Sequence, residues 1–265
     1  KKNEYDKYLK FYHEFGRVLK EGVHFDFSKR EAIGELLLFP STKTDKDSFR
    51  SIQDYIDNMK EGQEDIYYIT GSSRDEVLKS PYIEAFKDKD YEVLIMLDDV
   101  DDIIMGHFEF KGKKFKSVIK GDITLDDSKK DEKEKAQKKY GKLLTLIKER
   151  LEDDLKEVRL SGRLKDSPCC LVAEEGEMDP QMEKLLKSMG QNIPERKRIL
   201  EINPSHPLFE AMNTIFEKDK KSEVLKNYAD LLYDQALLLE GSKPKDSAAF
   251  AKAISKLMVE NAQKN

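Results

Sequence analysis

Apolar residues recur at three- and four-residue steps from the start of the chain, where Tyr5, Tyr8, Leu9, Tyr12, Phe15 and Leu19 share one helical face. An aromatic stripe of this kind reads as core. A second helix is expected over about 29–38, stopped by Pro40. A third begins near Ser48 and carries Phe49, Ile52, Tyr55, Ile56 and Met59 before Gly62. This opening block, 1–61, is either a helical bundle of its own or the flank of a sheet. At Asp65 the period changes. Ile66-Tyr67-Tyr68-Ile69 is a continuous run of β-formers that ends at Thr70-Gly71, as a buried strand does. Residues 74–86 then read as helix, 91–97 as a second buried strand, 101–105 as a helical turn and 115–119 as a third strand. Strand, helix, strand spacing implies a right-handed parallel crossover, so 62–124 is expected to be a small three-layer α/β unit.

Residues 126–139 are almost entirely Asp, Glu, Lys, Ser and Gln, which marks the domain boundary. Mixed signs at helical spacing allow the later part to run as a solvated helix into Tyr140, Leu143, Leu144, Ile147 and Leu151. Beyond it, 158–164 and 168–172 read as strands joined by Lys165-Asp166-Ser167, which suits an antiparallel hairpin. A Met-rich helix over 179–189, a strand over 198–202, and helices starting at Ser205 or His206 and at Ser222 complete the pattern. The fold class is therefore α/β in the broad sense, or α+β overall. The second domain, 125–265, is expected to be α+β.

The tail closes the chain with two amphipathic helices. Val224, Tyr228, Leu231, Leu232, Gln235, Leu238 and Leu239 share one stripe, ended by Gly241 and Pro244. Phe250, Ala253, Ile254, Leu257 and Met258 share another, opened by Asp246 or Ser247 as N-cap. Two antiparallel helices cover each other only in part. A symmetric copy of the hairpin would bury the remainder, giving a four-helix bundle in a homodimer. The alternative is that the helices cap the preceding domain within one monomer.

Composition narrows the function. Lys and Arg total 48 against 53 for Asp and Glu, a net charge of −5 on a chain of 265 residues. So balanced a surface lacks the one-signed patch of a dedicated nucleic-acid binder. The only two cysteines, Cys169 and Cys170, are adjacent and cannot staple distant segments, which suggests a reducing compartment and a cytoplasmic location. No apolar run is long enough to span a bilayer and no signal peptide opens the chain. Lys1 is not a natural start, so the chain is expected to be a piece of something longer.

Candidate chemistry is sparse. The turn Tyr68-Ile69-Thr70-Gly71-Ser72-Ser73 sits where a nucleotide fold would cradle a phosphate, but it has one glycine where dinucleotide folds use three, and no Gly-Lys-Ser or Gly-Lys-Thr. Asp98, Asp99, Asp101 and Asp102 resemble a metal cluster, yet their spacing fits neither a calcium loop nor a zinc site and suits a helix start. His206, between Pro204 and Pro207, has no nucleophile at telling spacing. No catalytic, metal or cofactor site is expected. The remaining oddity is the stripe Met178, Met182, Leu185, Leu186 and Met189 on a helix of about three turns, too short to stand alone. It packs either on the domain's own core or, since methionine adapts to many partners, on another protein.

The ordered set Gly22-Val23-His24, Ile66-Tyr67-Tyr68-Ile69-Thr70-Gly71, Lys79-Ser80-Pro81, Tyr91-Glu92-Val93-Leu94, Val158-Arg159-Leu160, Arg163-Leu164, Leu200-Glu201-Ile202-Asn203-Pro204 and Leu231-Leu232-Tyr233-Asp234-Gln235-Ala236-Leu237 resembles the ninety-kilodalton heat-shock protein chaperones in their bacterial form. The resemblance covers nearly the whole chain. It implies that 1–124 is the last part of the middle domain and 125–265 the C-terminal dimerisation domain. It further implies that the tail is the dimer bundle and that Met178, Met182, Leu185, Leu186 and Met189 face unfolded client proteins. The family's ATP domain and the arginine loop that reaches ATP would precede Lys1. The fragment is therefore expected to bind no nucleotide and to be no enzyme by itself, with ATP and Mg belonging to the whole protein. The ending Asn261-Ala262-Gln263-Lys264-Asn265 lacks the acidic terminus of eukaryotic relatives, so tetratricopeptide-repeat cochaperones are not expected, and there is no tryptophan for client contact. Two rivals remain: a small α/β phosphate-binding enzyme using the Gly71 turn, and a purely structural dimerisation module.

Overall fold

Helix α1 (Tyr5–Phe25) opens the computed structural model, which describes residues 4–125, 130–194 and 196–263. Its buried face is Tyr12, Gly16, Lys20 and Val23. Of the expected stripe, Tyr12 is buried and Tyr8, Leu9 and Leu19 are half-buried, while Tyr5 and Phe15 are exposed. The expected second helix is only α2 (Arg30–Gly34), because Leu37, Leu38 and Phe39 are drawn into the core around strand β1 (Leu38–Phe39). Strand β2 (Arg50–Ser51) pairs antiparallel with β1, and α3 (Ile52–Asp57) starts later than its apolar pattern does. Ser51 sets that start: its hydroxyl accepts from the Asp54 amide while the Asp54 carboxylate accepts from the Ser51 amide, a reciprocal capping box.

Strand β3 (Ile66–Thr70) is followed by α4 (Arg74–Val77), capped by the Ser73 hydroxyl, and α5 (Glu84–Asp88). One helix was expected over 74–86. Pro81, which has no amide hydrogen, and Ser80, whose hydroxyl caps the next turn at the Tyr82 amide, divide it. Then come β4 (Leu94–Met96), α6 (Asp101–Met105), β5 (Glu109–Phe110) and β6 (Lys113–Ser117). The sheet order is β4-β3-β6-β5, with β3 parallel to both neighbours as the crossover spacing implied. The β5–β6 hairpin was not anticipated. Its turn, Lys111-Gly112, holds φ of 49° and 76°, the left-handed pair that matches strand twist. The core joins Tyr12 and Val23 of α1 to Tyr68, Leu94 and Phe115 of the sheet, so the opening block flanks the sheet.

Helix α7 (Lys130–Arg150) takes up most of the charged stretch; residues 126–129 of the expected boundary lie outside the described residues. It leads into β7 (Leu155–Leu160) and β8 (Cys169–Val172). These two strands do not form the expected hairpin. After α8 (Pro180–Ser188), strand β9 (Arg198–Ile202) enters between them, parallel to β7 and antiparallel to β8, in the order β7-β9-β8. Helices α9 (Pro207–Lys218), α10 (Glu223–Leu239) and α11 (Ser247–Ala262) follow. His206 caps α9, its Nδ1 accepting from the Leu208 amide at 3.2 Å. One core holds Leu143 and Ile147 of α7, Leu171 and Leu200 of the sheet, Phe209 of α9 and Leu225 and Leu232 of α10.

The chain groups into two compact units, Lys1–Gly121 with Gly176–Ile193, and Asp122–Glu175 with Pro194–Asn265. In contrast to one cut near 124, the segment bearing α8 leaves the second unit's chain and packs with the first.

Candidate functional site

Helix α8 lies over the carboxyl ends of β3 and β4. Thr70, Met96, Leu97 and Asp102 line a crevice there together with Met182 and Leu185 of the helix. A hydrogen-bonded chain fastens the helix start. The Thr70 hydroxyl donates to the Asp179 carboxylate, and the Asp179 amide donates to Asp102 Oδ2 at 3.2 Å. Asp102 in turn accepts from Lys120 Nζ at 2.6 Å and 2.7 Å and from the Tyr68 hydroxyl at 3.2 Å. Burial and the Asp102 charge both raise the Tyr68 phenol, so it stays a neutral donor.

The five residues of the predicted stripe therefore have different surroundings. Met182 is buried at 7 % exposure; Met178, Leu185 and Leu186 are half-buried; Met189, past the helix end, is 68 % exposed. Within this chain, one edge of the helix is core and the other is open.

Asp98, Asp101 and Asp102 are ion-paired. Lys20, buried on α1, reaches Asp98 at 2.6 Å and Asp101 at 2.8 Å, and Lys120 takes Asp102. Burial works against the Lys20 charge, but Asp101, Tyr12 and Asp98 outweigh it and raise its pKa. Among the described residues no group of three His, Cys, Asp or Glu has metal-holding geometry. The Gly71 turn opens on the same acidic crevice, where Asp98, Asp99, Asp102 and Asp179 would repel a phosphate. Gly71 has a packing role: a Cβ there would lie 2.3 Å from the buried Val77 side chain. Cys169 and Cys170 are both fully buried, and burial pushes the Cys169 thiol up to about 12, far from reactive thiolate chemistry.

The tail splits in a similar way. Helix α10 buries Leu225, Ala229, Leu232 and Ala236 in its own unit, so Leu232, predicted at a dimer face, is core. Tyr228 also packs on that core and Leu231 is half-buried, leaving Val224, Gln235, Leu238 and Leu239 exposed. Helix α11 buries nothing. Phe250, Ala253 and Leu257 are half-buried, whereas Ile254 and Met258 are 38 % and 68 % exposed. Its start is firm, with Asp246 accepting from the amides of Ala248 and Ala249 at 2.9 Å each. A capped sixteen-residue helix with an apolar stripe and no buried residue has a face without a cover in this chain.

Residues 1–265 match the family model described as Hsp90 protein. The chain belongs to the Hsp90 family. It is 51 % identical over 265 residues to the chaperone protein HtpG of Geobacter sulfurreducens, covering 98 % of this chain and 41 % of that protein. The corresponding protein of Geobacter metallireducens is 49 % identical and that of Coxiella burnetii 44 %, with the same coverage. The chain thus spans about two fifths of the length of these chaperones.

Family membership agrees with the ordered words quoted above, several of which have structural roles. Ser80-Pro81 divides the helix after β3, and Asn203, beside Pro204, donates its side-chain amide to the carbonyls of Lys165 and Ser167 at 2.8 Å and 3.0 Å. Arg163 and Glu201 form a buried ion pair at 2.9 Å. What sequence reasoning missed are the contacts of Lys20, Lys120, Thr70 and Asp179, whose partners are too distant in the chain to give a local signal. No helix among the described residues is long and apolar enough to cross a membrane.

Proposed function

We propose that this chain is the pairing and client-contacting part of a bacterial-type Hsp90 chaperone, corresponding to the end of its middle domain and its C-terminal dimerisation domain. The observation that carries this reading is α11, which buries no residue in its own chain and leaves Ile254 and Met258 of its apolar stripe exposed. In a homodimer, two α10–α11 hairpins would bury Ile254, Leu257 and Met258 against their copies. That would tether two protomers and raise the effective concentration of their distal domains, where ATP and Mg would bind in the whole protein. The chain itself supplies no catalytic group in this reading, takes no nucleic-acid or membrane partner, and works in the cytoplasm.

Clients would meet the open edge of α8. Leu186 and Met189 offer apolar area next to a methionine-bearing helix that can repack against different sequences. The change Met189→Ser, at a position 68 % exposed, should leave thermal melting within about 2 °C, since an exposed substitution away from the core changes stability by about 0.5 kcal/mol or less. It should weaken suppression of aggregation of an unfolded test protein several-fold, because each lost apolar contact is worth roughly 1 kcal/mol. Unchanged suppression, with folding intact, would remove this edge from the client surface.

A further inference from the structure

We infer that Met189 is a site of reversible oxidation, at which a peroxide switches off the client edge of α8 without unfolding the unit that carries it. The inference rests on the client reading above and adds to it the chemistry that regulates that edge.

The eight methionines of the chain differ widely in access. Met96, Met105, Met182 and Met212 are buried, and Met59 and Met178 are half-buried. Met189 and Met258 stand apart at 68 % exposure each. Met258 shares its stripe with Ile254 on α11, so pairing of two chains would cover it. Met189 lies outside that stripe, at the end of the edge that clients would meet.

The backbone beneath Met189 is fixed. Gly190, with φ of 80°, closes α8 in the left-handed conformation. The amides of Met189, Gly190 and Gln191 donate to the carbonyls of Leu185, Lys187 and Leu186, each at 3.0 Å. These bonds join backbone to backbone, so a change confined to the Met189 side chain breaks none of them. Met182 carries the buried edge of the same helix, and its burial shields the sulfur whose oxidation would disturb packing. The open edge can therefore change polarity while the buried edge keeps its place.

The step is a two-electron oxygen transfer. A lone pair on the thioether sulfur attacks one oxygen of hydrogen peroxide, a sulfur–oxygen bond forms and the O–O bond breaks. The proton on the transferred oxygen passes to the departing hydroxide, which leaves as water. The sulfur is oxidised by two electrons and the peroxide is reduced by two. The sulfoxide product is polar where the thioether was apolar, and methionine sulfoxide reductases return it to methionine. Leu186, beside it, then borders a polar group, and a client loses contact area at both.

The test uses the chain with Met258→Leu, which removes the other exposed sulfur. Under hydrogen peroxide, mass spectrometry of its peptides should show Met189 oxidised ahead of Met178 and Met182, with the melting temperature of the treated chain unchanged. Affinity for a carboxymethylated, permanently unfolded protein should fall about fivefold, as loss of one apolar contact does, and recover after treatment with a methionine sulfoxide reductase. Adding Met189→Leu deletes the sulfur. Whatever its starting affinity, treated and untreated samples of that variant should bind alike. Met189→Gln, polar and of similar length, should reproduce the loss without peroxide. Oxidation of Met182 as fast as Met189 overturns the site. An equal loss of affinity in the treated Met189→Leu variant overturns the switch. An untreated chain that binds no unfolded protein overturns the client reading instead, and the switch falls with it even where Met189 is oxidised first.

Discussion

Replacing Glu201 by glutamine should unfold the second unit well below the parent's melting temperature. Glu201 lies on the central strand β9 at 0 % exposure and accepts from Arg159 Nη2 at 2.8 Å, Arg163 Nε at 2.9 Å and the Ser161 hydroxyl at 2.8 Å. Arg163 is itself 0 % exposed. Taking the charge from Glu201 removes the carboxylate to which that interior guanidinium is paired, a change that costs about 3–5 kcal/mol in buried pairs. The attraction of the intact pair is mostly offset by the desolvation of both ions. The double change Glu201→Leu with Arg163→Met should therefore recover much of the loss. Urea unfolding checks both. A Glu201→Gln cost under about 1 kcal/mol would mean that the arginine finds other acceptors.

The second large effect separates two positions that periodicity places on one kind of stripe. Leu232→Glu should abolish a folded second unit, since Leu232 is 2 % exposed among Leu171, Leu200 and Ala229, and an unpaired carboxylate there costs several kcal/mol, roughly 4 or more. Ile254→Glu places the same charge on α11 at a position 38 % exposed, where the carboxylate can reach water. It should leave melting nearly unchanged and convert a dimer to folded monomers. Circular dichroism and sedimentation velocity of the two variants read the difference. A Leu232→Glu chain that stays folded would contradict the packing of α10 on the sheet.

That contrast also shows what the sequence can reveal. The helices of the tail are legible from their repeats, but which side of α10 meets its own sheet is not. Its buried face includes Ala229 and Ala236, small residues whose hydrophobic signal is weaker than that of the neighbouring leucines yet which allow close approach to β8. Leu232 looks like its neighbour Leu231, although one is core and the other half-buried. The β7–β8 pairing failed for a related reason: a three-residue gap between apolar runs suggests a hairpin, whereas the partner of both strands, β9, arrives some thirty residues later. The parallel pairing of β3 and β4 was legible because the helical segment between them requires a crossover. The α8 stripe was legible as a stripe. Its docking was not, because it depends on Thr70, Asp102 and Lys120, polar residues that a hydrophobicity pattern ignores.

The most direct test of the account is the mass of this chain in solution by sedimentation equilibrium. The uncovered face of α11 predicts a species of twice the 30.8 kDa chain mass, returned to 30.8 kDa by Ile254→Glu. A parent chain that sediments as a single 30.8 kDa species across the accessible concentration range would contradict pairing through α11, and with it the proposed role of the tail.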